Sequence, residues 1–296
     1  MAPAPDSGMH EAKGSVGIVG LGLIGGSLGL DLRTLGWTVQ GLVHRPSTAE
    51  RAIERGLVDA VSTDPACLGS CDLVILALPI PALLSPDPAL VEAIPRTAVV
   101  TDVGSVKQPV LEVWGELHPR FVASHPMAGT ASAGVEAGQA GLFRGRPWIA
   151  TPALSSDAAA VEQVRHLAQE LGSQWFTASA DQHDQAVALI SHMPVLVSAA
   201  LLRTAGDERD PEIRQLAEAL ASSGFADTTR IGGGNPDLGV AMASSNTAAV
   251  RKALAAYRWS LEQLEDAVLR GNWQQLHREL RRTQELRPGY LETKIS

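Results

Sequence analysis

The sequence predicts an α/β domain with a mostly parallel sheet, followed by an all-α domain. Three observations carry that expectation. Short apolar runs alternate with helical stripes over the first 178 residues, a glycine-rich turn follows the first run, and no strand pattern recurs after residue 180. The run VGIVG (16–20) reads as a buried strand that stops at glycines. In IGGSLGLDLRTLG (24–36), Ile24, Leu28, Leu32 and Leu35 fall on one helical stripe, and Gly36 marks its end. WTVQGLV (37–43) is the next strand, with a helix around 47–55 after it. Further strands are expected at DLVILALP (72–79), AVVTDV (98–103), RFVAS (120–124), PWIAT (147–151) and QWFTA (174–178).

Beyond these, residues 180–206 read as one long apolar helix, opened by an aspartate cap at Asp181 and interrupted at Pro194. Helical patterns recur at 211–221, 247–271 and 273–286. The expected division is a flexible tail (1–14), a dinucleotide-binding domain (15–178), a helical substrate and dimerisation domain (179–288) and a second tail (289–296).

Composition narrows the function classes. Hydrophobic residues make up 45% of the 296 residues and charged ones 19%, which suits a folded core. The net charge of −8 argues against a nucleic-acid partner. No run of about 18 apolar residues is evident, so no membrane span is expected, and residues 1–15 lack the apolar stretch of a secretory signal. Cys67 and Cys71 are read as two thiols, no metal-ligand spacing is present, and a reducing cytoplasm is the expected location.

Gly20-Leu-Gly22-Leu-Ile-Gly25 fits GxGxxG, and its place between a strand and an amphipathic helix gives it meaning. Gly20 permits the tight turn, Gly22 admits a pyrophosphate, and Gly25 lets helix and strand pack closely. The domain is therefore Rossmann-type. An NAD site usually carries a carboxylate after the second strand. Here stand His44, Arg45, Ser47 and Thr48, with no acid before Glu50, so a 2′-phosphate and hence NADP is expected. The residues assigned to the cofactor are these four, Gly20, Gly22, Leu23, Ile24 and Gly25 of the turn, and Pro79 after the third strand.

TDVGSVK (101–107) and SHPMAGT (124–130) place Ser105 and His125 after strands, on the side where such sheets bind ligands. A neutral histidine there can take a proton from an alcohol while hydride departs from its carbon. These segments, with GLGLIGGS (20–27), ADQHDQAVALISHMP (180–194) and SSGFADTTRIGGGNP (222–236), resemble the prephenate/arogenate dehydrogenase family of tyrosine biosynthesis over roughly residues 15–285.

The resemblance implies oxidative decarboxylation of a cyclohexadienol dicarboxylate, with His125 as base, Ser105 assisting and Arg230 gripping a carboxylate. His192, just before Pro194, is expected either to face the substrate or to cap the helix irregularity. His183 and Asp184 are read as capping and hinge residues, Lys107 as a tie between loops, and Asn235 and Pro236 as a turn and helix start. Prephenate-using members often carry SHLPH where this chain has SHMPV. The resemblance implies that Val195 cannot hold the pyruvyl chain of prephenate, which favours arogenate. Competing readings are a β-hydroxyacid-type dehydrogenase and a non-catalytic NADP-binding protein. A homodimer through the helical domain is expected.

Overall fold

The computed structural model describes residues 13–130 and 132–291. Most of the two expected tails, residues 1–12 and 292–296, lies outside the described residues. Lys13 is no part of a free tail, since its ammonium pairs with Glu170 at 2.5 Å. Residues 289–291 of the second expected tail belong to a short helix, Pro288–Leu291.

Elements follow in the order β1 (Ser15–Val19), α1 (Leu23–Thr34), β2 (Thr38–Leu42), α2 (Pro46–Glu54), β3 (Ala60–Ser62), β4 (Leu73–Leu76), α3 (Ile80–Leu84), α4 (Pro88–Ala93), β5 (Val99–Asp102), α5 (Gln108–Leu117), β6 (Phe121–Val122), β7 (Ser124–Pro126), β8 (Pro147–Ala150), α6 (Ala158–Glu170), β9 (Gln174–Thr177) and α7 (Ala180–Val187). A π-helical turn, Ala188–His192, leads into α8 (Met193–Gly206), α9 (Pro211–Leu220), α10 (Ser223–Thr229), α11 (Pro236–Ser245), α12 (Thr247–Leu269), α13 (Trp273–Leu286) and α14 (Pro288–Leu291).

The chain forms two compact units. One runs up to Val187 and includes Gly234–Ser245; the other holds Ala188–Gly233 and the chain from Asn246. The first unit thus takes in α7 and α11, beyond the boundary expected at residue 178. Among the described residues, its large sheet has six parallel strands in the order β3-β2-β1-β4-β5-β6. This is a Rossmann-like order, with the direction of winding reversing between β1 and β4.

The strands are mostly apolar because helices cover both faces; Val16, Ile18, Val39, Leu73, Ile75, Val99 and Val122 are all buried. On α1 the expected stripe packs inward, with Leu28 and Leu32 fully buried. Gly36, at φ +90°, ends the helix, and Trp37 N–H reaches back to the Leu32 carbonyl.

The expected single strand at 120–124 is broken. β6 stays in the large sheet, whereas β7 joins a separate sheet of order β7-β8-β9, antiparallel to β8. The break falls at Ser124 for a chemical reason. Its N–H donates to Asp102 Oδ1 at 3.1 Å and its carbonyl accepts from Lys107 Nζ at 2.7 Å. Side chains therefore satisfy the backbone groups that the large sheet would otherwise use.

Two further expectations are corrected. Ser179, not Asp181, caps α7: its Oγ accepts from Gln182 N–H, and Gln182 Oε1 accepts from Ser179 N–H. Residues Ala180–Gly206 do reach the length of a membrane span, and an 18-residue window within them has a mean hydropathy of 1.8, although no unbroken apolar run is present. Isolated polar residues interrupt the run without lowering its mean far. Yet His183 and Asp184, near its start, are buried in hydrogen bonds with other parts of the α/β unit, a use that a bilayer does not offer.

The second unit has a small core in which Ala188, Val250 and Ala253 are buried, with Met193 and Leu196 packed against them. Large apolar side chains stay exposed around it, including Leu216, Leu220, Trp259, Leu269 and Trp273.

Candidate active site

The glycine turn has the geometry that a dinucleotide requires. Gly20 lies at φ +91°, and a Cβ there would come within 2.4 Å of the Ala77 carbonyl oxygen. A Cβ on Gly25 would sit 1.9 Å from the Gly20 carbonyl oxygen, so this glycine serves packing between α1 and the strand end. Gly22 differs, because a Cβ there would meet nothing within 4 Å and would project into open space. Its smallness leaves room for a ligand and not for the protein itself. Gly22 is also the N-cap of α1, Leu23 is the helix's first residue, and the first turn carries no acidic side chain. The positive end of the helix is thus unopposed by a carboxylate, as an anionic pyrophosphate needs. Ile24 is half-buried against the core.

After β2, His44, Arg45 and Ser47 are exposed and Thr48 is half-buried, with Arg45 at the N-cap of α2. Pro79 is exposed at the N-cap of α3, after β4. His44, Arg45 and Pro79 lie between the carboxyl ends of parallel strands and the helices that follow, and Ser47 and Thr48 lie in the first turn of α2.

Asp102 ends β5 and Lys107 closes the loop after it; both side chains are fully buried and ion-paired. Burial pushes the Asp102 carboxyl up and the Lys107 ammonium down, each against the attraction of the other. Asp102 Oδ2 also accepts from Gly104 N–H at 2.8 Å. The pair spans the loop that carries Ser105, and both partners grip Ser124, the residue before His125. Lys107 is therefore the tie expected from sequence, with Asp102 as its unforeseen counterpart. Ser105 itself is half-buried between them.

His125 lies within β7, opposite Ile149 of β8, and not in a loop after a strand as expected. It is half-buried, and its Nδ1 is 2.9 Å from His183 Nε2. The two rings meet edge to face, with centroids 5.2 Å apart. His183 Nδ1 lies 2.7 Å from Asp184 Oδ1. Asp184 in turn accepts from Lys107 N–H at 2.7 Å and Gln108 N–H at 2.9 Å. Asp184 thus caps a helix, as expected, but the helix is α5 and not its own. The hydrogen bonds of His183 to His125 and of Asp184 to the start of α5 were not foreseen in the sequence. The one local signal is an adjacent His-Asp pair on a helix whose other face is apolar.

In the second unit, His192 is buried and its Nδ1 accepts from Asn246 Nδ2 at 3.2 Å. Asn246 carried no sequence signal. The π turn around His192 follows from Pro194, which denies Ile190 its usual donor. Arg230 is exposed at the C-cap of α10. Its turn is anchored by Ser198, whose Oγ donates to the Thr228 carbonyl at 2.9 Å and accepts from Gly232 N–H at 2.8 Å. A Cβ on Gly232 would lie 2.3 Å from Ala199 N, so this stretch packs directly on α8. Val195 is half-buried on α8.

Family models for the prephenate dehydrogenase nucleotide-binding domain and the prephenate dehydrogenase dimerization domain match residues 28–177 and 179–282. The chain belongs to the prephenate dehydrogenase family. The glycine turn at 20–25 lies just ahead of the first matched segment.

The chain is 31% identical over 235 residues to the prephenate dehydrogenase of Bacillus subtilis, covering 77% of this chain and 63% of that protein, so it spans less than two thirds of that relative. Among solved structures it resembles Synechocystis arogenate dehydrogenase, with 41% identity, a TM-score of 0.79 and coverage of 94% of this chain and 100% of that one. It also resembles the A. aeolicus prephenate dehydrogenase solved with hydroxyphenyl propionate and NAD+, with 29% identity, a TM-score of 0.88 and coverage of 95% and 99%.

Proposed function

We propose that this protein oxidises and decarboxylates arogenate to tyrosine with NADP, as a step of tyrosine biosynthesis. The observation that carries the proposal is His125, seated beyond the nucleotide-binding sheet with one ring nitrogen held by a buried histidine.

His125 takes the proton of the ring hydroxyl at C4. Ser105, on the neighbouring loop, assists by hydrogen bonding. The hydride leaves C4 for the nicotinamide that a bound NADP would supply. The ring carboxylate then departs as carbon dioxide and its bonding electrons complete the aromatic ring, so alignment of the reacting groups is the main demand on the protein. Arg230 pairs with a substrate carboxylate, and His192 is the second substrate residue. Gly20, Gly22, Leu23, Ile24, Gly25 and Pro79 cradle the cofactor, while His44, Arg45, Ser47 and Thr48 receive its 2′-phosphate.

Support for arogenate comes from the 41% identity to the Synechocystis enzyme and from Val195, which cannot hydrogen-bond a keto acid. The absence of an acid between Gly41 and Glu50 supports NADP. The alternative is a prephenate dehydrogenase making 4-hydroxyphenylpyruvate with NAD or NADP; the likeness to the A. aeolicus protein, solved with NAD+, favours it. We assign the exposed apolar side chains of the helical unit to a homodimer, consistent with the matched dimerization domain. Two free thiols suit a cytoplasmic location; burial pushes the Cys71 thiol up to about 11, where it is inert.

The test is a two-by-two assay of arogenate and prephenate against NADP and NAD. The expected result is highest kcat/KM for arogenate with NADP. Activity confined to prephenate with NAD overturns both specificity assignments.

A further inference from the structure

The hydrogen bonds around His125 have a direction, and that direction decides which of its nitrogens is basic. A carboxylate only accepts, and Asp184 Oδ1 lies 2.7 Å from His183 Nδ1, so His183 carries its proton on Nδ1. In the neutral ring, Nε2 of His183 is then the acceptor. That nitrogen is 2.9 Å from His125 Nδ1, which must therefore be the donor. The neutral His125 ring keeps its lone pair on Nε2, away from His183.

Asp184 is itself oriented by the N–H groups of Lys107 and Gln108 at the start of α5, whose dipole favours a negative charge there. With the His183 side chain 1% exposed and that of Asp184 7%, water offers little competing hydrogen bonding.

We infer that His183 and Asp184 are positioning residues that lock His125 in its Nδ1–H tautomer and so aim its basic Nε2 at the substrate hydroxyl. The consequence for catalysis rests on His125 being the base; the tautomer itself does not.

The experiment is long-range proton–nitrogen NMR on the full-length protein with nitrogen-15 histidine, the His125 signals being identified by their loss in His125→Asn. In the wild type, His125 Nδ1 is expected to be the protonated nitrogen; a protonated Nε2 in the neutral ring overturns the proposal without any further variant. His183→Phe keeps a ring but removes the acceptor. It should move the proton towards Nε2 and lower kcat by roughly 10²–10⁴, with KM little changed, because a wrongly protonated base acts like a missing one. His183→Gln restores an acceptor oxygen and should recover both the Nδ1–H signal and part of the turnover.

An unchanged tautomer in a folded His183→Phe protein also refutes the lock. If the proton moves but turnover does not, the lock stands, and the assignment of His125 as base falls instead.

Discussion

Replacing Lys107 by methionine removes the ammonium from a fully buried ion pair and leaves the rest of the contact set in place. The main-chain N–H of residue 107 still donates to Asp184, and the unbranched methionine fills most of the lysine's space. What is lost is the contact with Asp102 and the 2.7 Å bond to the Ser124 carbonyl. Asp102 keeps its bonds from Gly104 N–H and Ser124 N–H, but its charge is left buried without a counter-ion. Breaking one side of such a pair costs about 3–5 kcal/mol. At about 2–4 °C per kcal/mol for a chain of this order of size, Tm should fall by roughly 6–20 °C.

The loss should depend on pH. Burial raises the Asp102 carboxyl, and without the ammonium nothing of opposite charge pulls it back. The folded variant then binds this proton more tightly than the unfolded chain does. The penalty is full above the folded value and fades as pH falls towards the ordinary carboxylate range near ~4. Thermal unfolding followed by circular dichroism, at mildly acidic and mildly alkaline pH, should therefore give a gap from wild type that narrows in acid. Asp102→Asn combined with Lys107→Met should cost less than the two single changes added together. An unchanged Tm for Lys107→Met, or a gap that widens in acid, refutes the buried-pair account.

Four other outcomes are expected. His125→Asn should lower kcat by about 10²–10⁴ while NADP affinity, read by fluorescence titration, stays near wild type; turnover that barely moves puts the base elsewhere. Arg230→Ala should raise the substrate KM about ten- to a hundredfold, the worth of a charge-assisted contact, and an unchanged KM removes it from the site. Gly22→Ala should keep the wild-type Tm yet weaken NADP binding, whereas Gly25→Ala, with its Cβ 1.9 Å from a carbonyl oxygen, should lower Tm as well; equal Tm losses contradict the separate roles given to the two glycines. Arg45→Glu should shift the ratio of kcat/KM values from NADP towards NAD by an order of magnitude or more, through repulsion of the 2′-phosphate, and an unaltered ratio places that phosphate away from Arg45.

How much was legible before the structure depended on the range of the interaction. Glycine spacing, the stripe Ile24-Leu28-Leu32-Leu35, the apolar strands and the helix break at Pro194 are all set within a few residues of one another, by sterics and periodicity. Ser105 stood out because it follows a strand of a sheet whose binding edge is known from its winding; the same was expected of His125, which instead lies within β7. The break at Ser124 was hidden, because it depends on Asp102 and Lys107, which lie 22 and 17 residues away. The His125 and His183 contact spans 58 positions, and the Lys107 and Asp184 contact 77.

The sequence by itself thus determined the α/β-plus-helical fold class and the nucleotide turn, which arise from local geometry, and it offered a candidate base through the resemblance of its motifs to a known family. Only the tertiary structure decided that β7 leaves the main sheet, that a buried ion pair holds the two strand-end segments together, and that Asp184, His183 and His125 form one hydrogen-bonded chain. Those outcomes rest on directional hydrogen bonds between distant segments, and a donor's partner is defined by where the fold brings it.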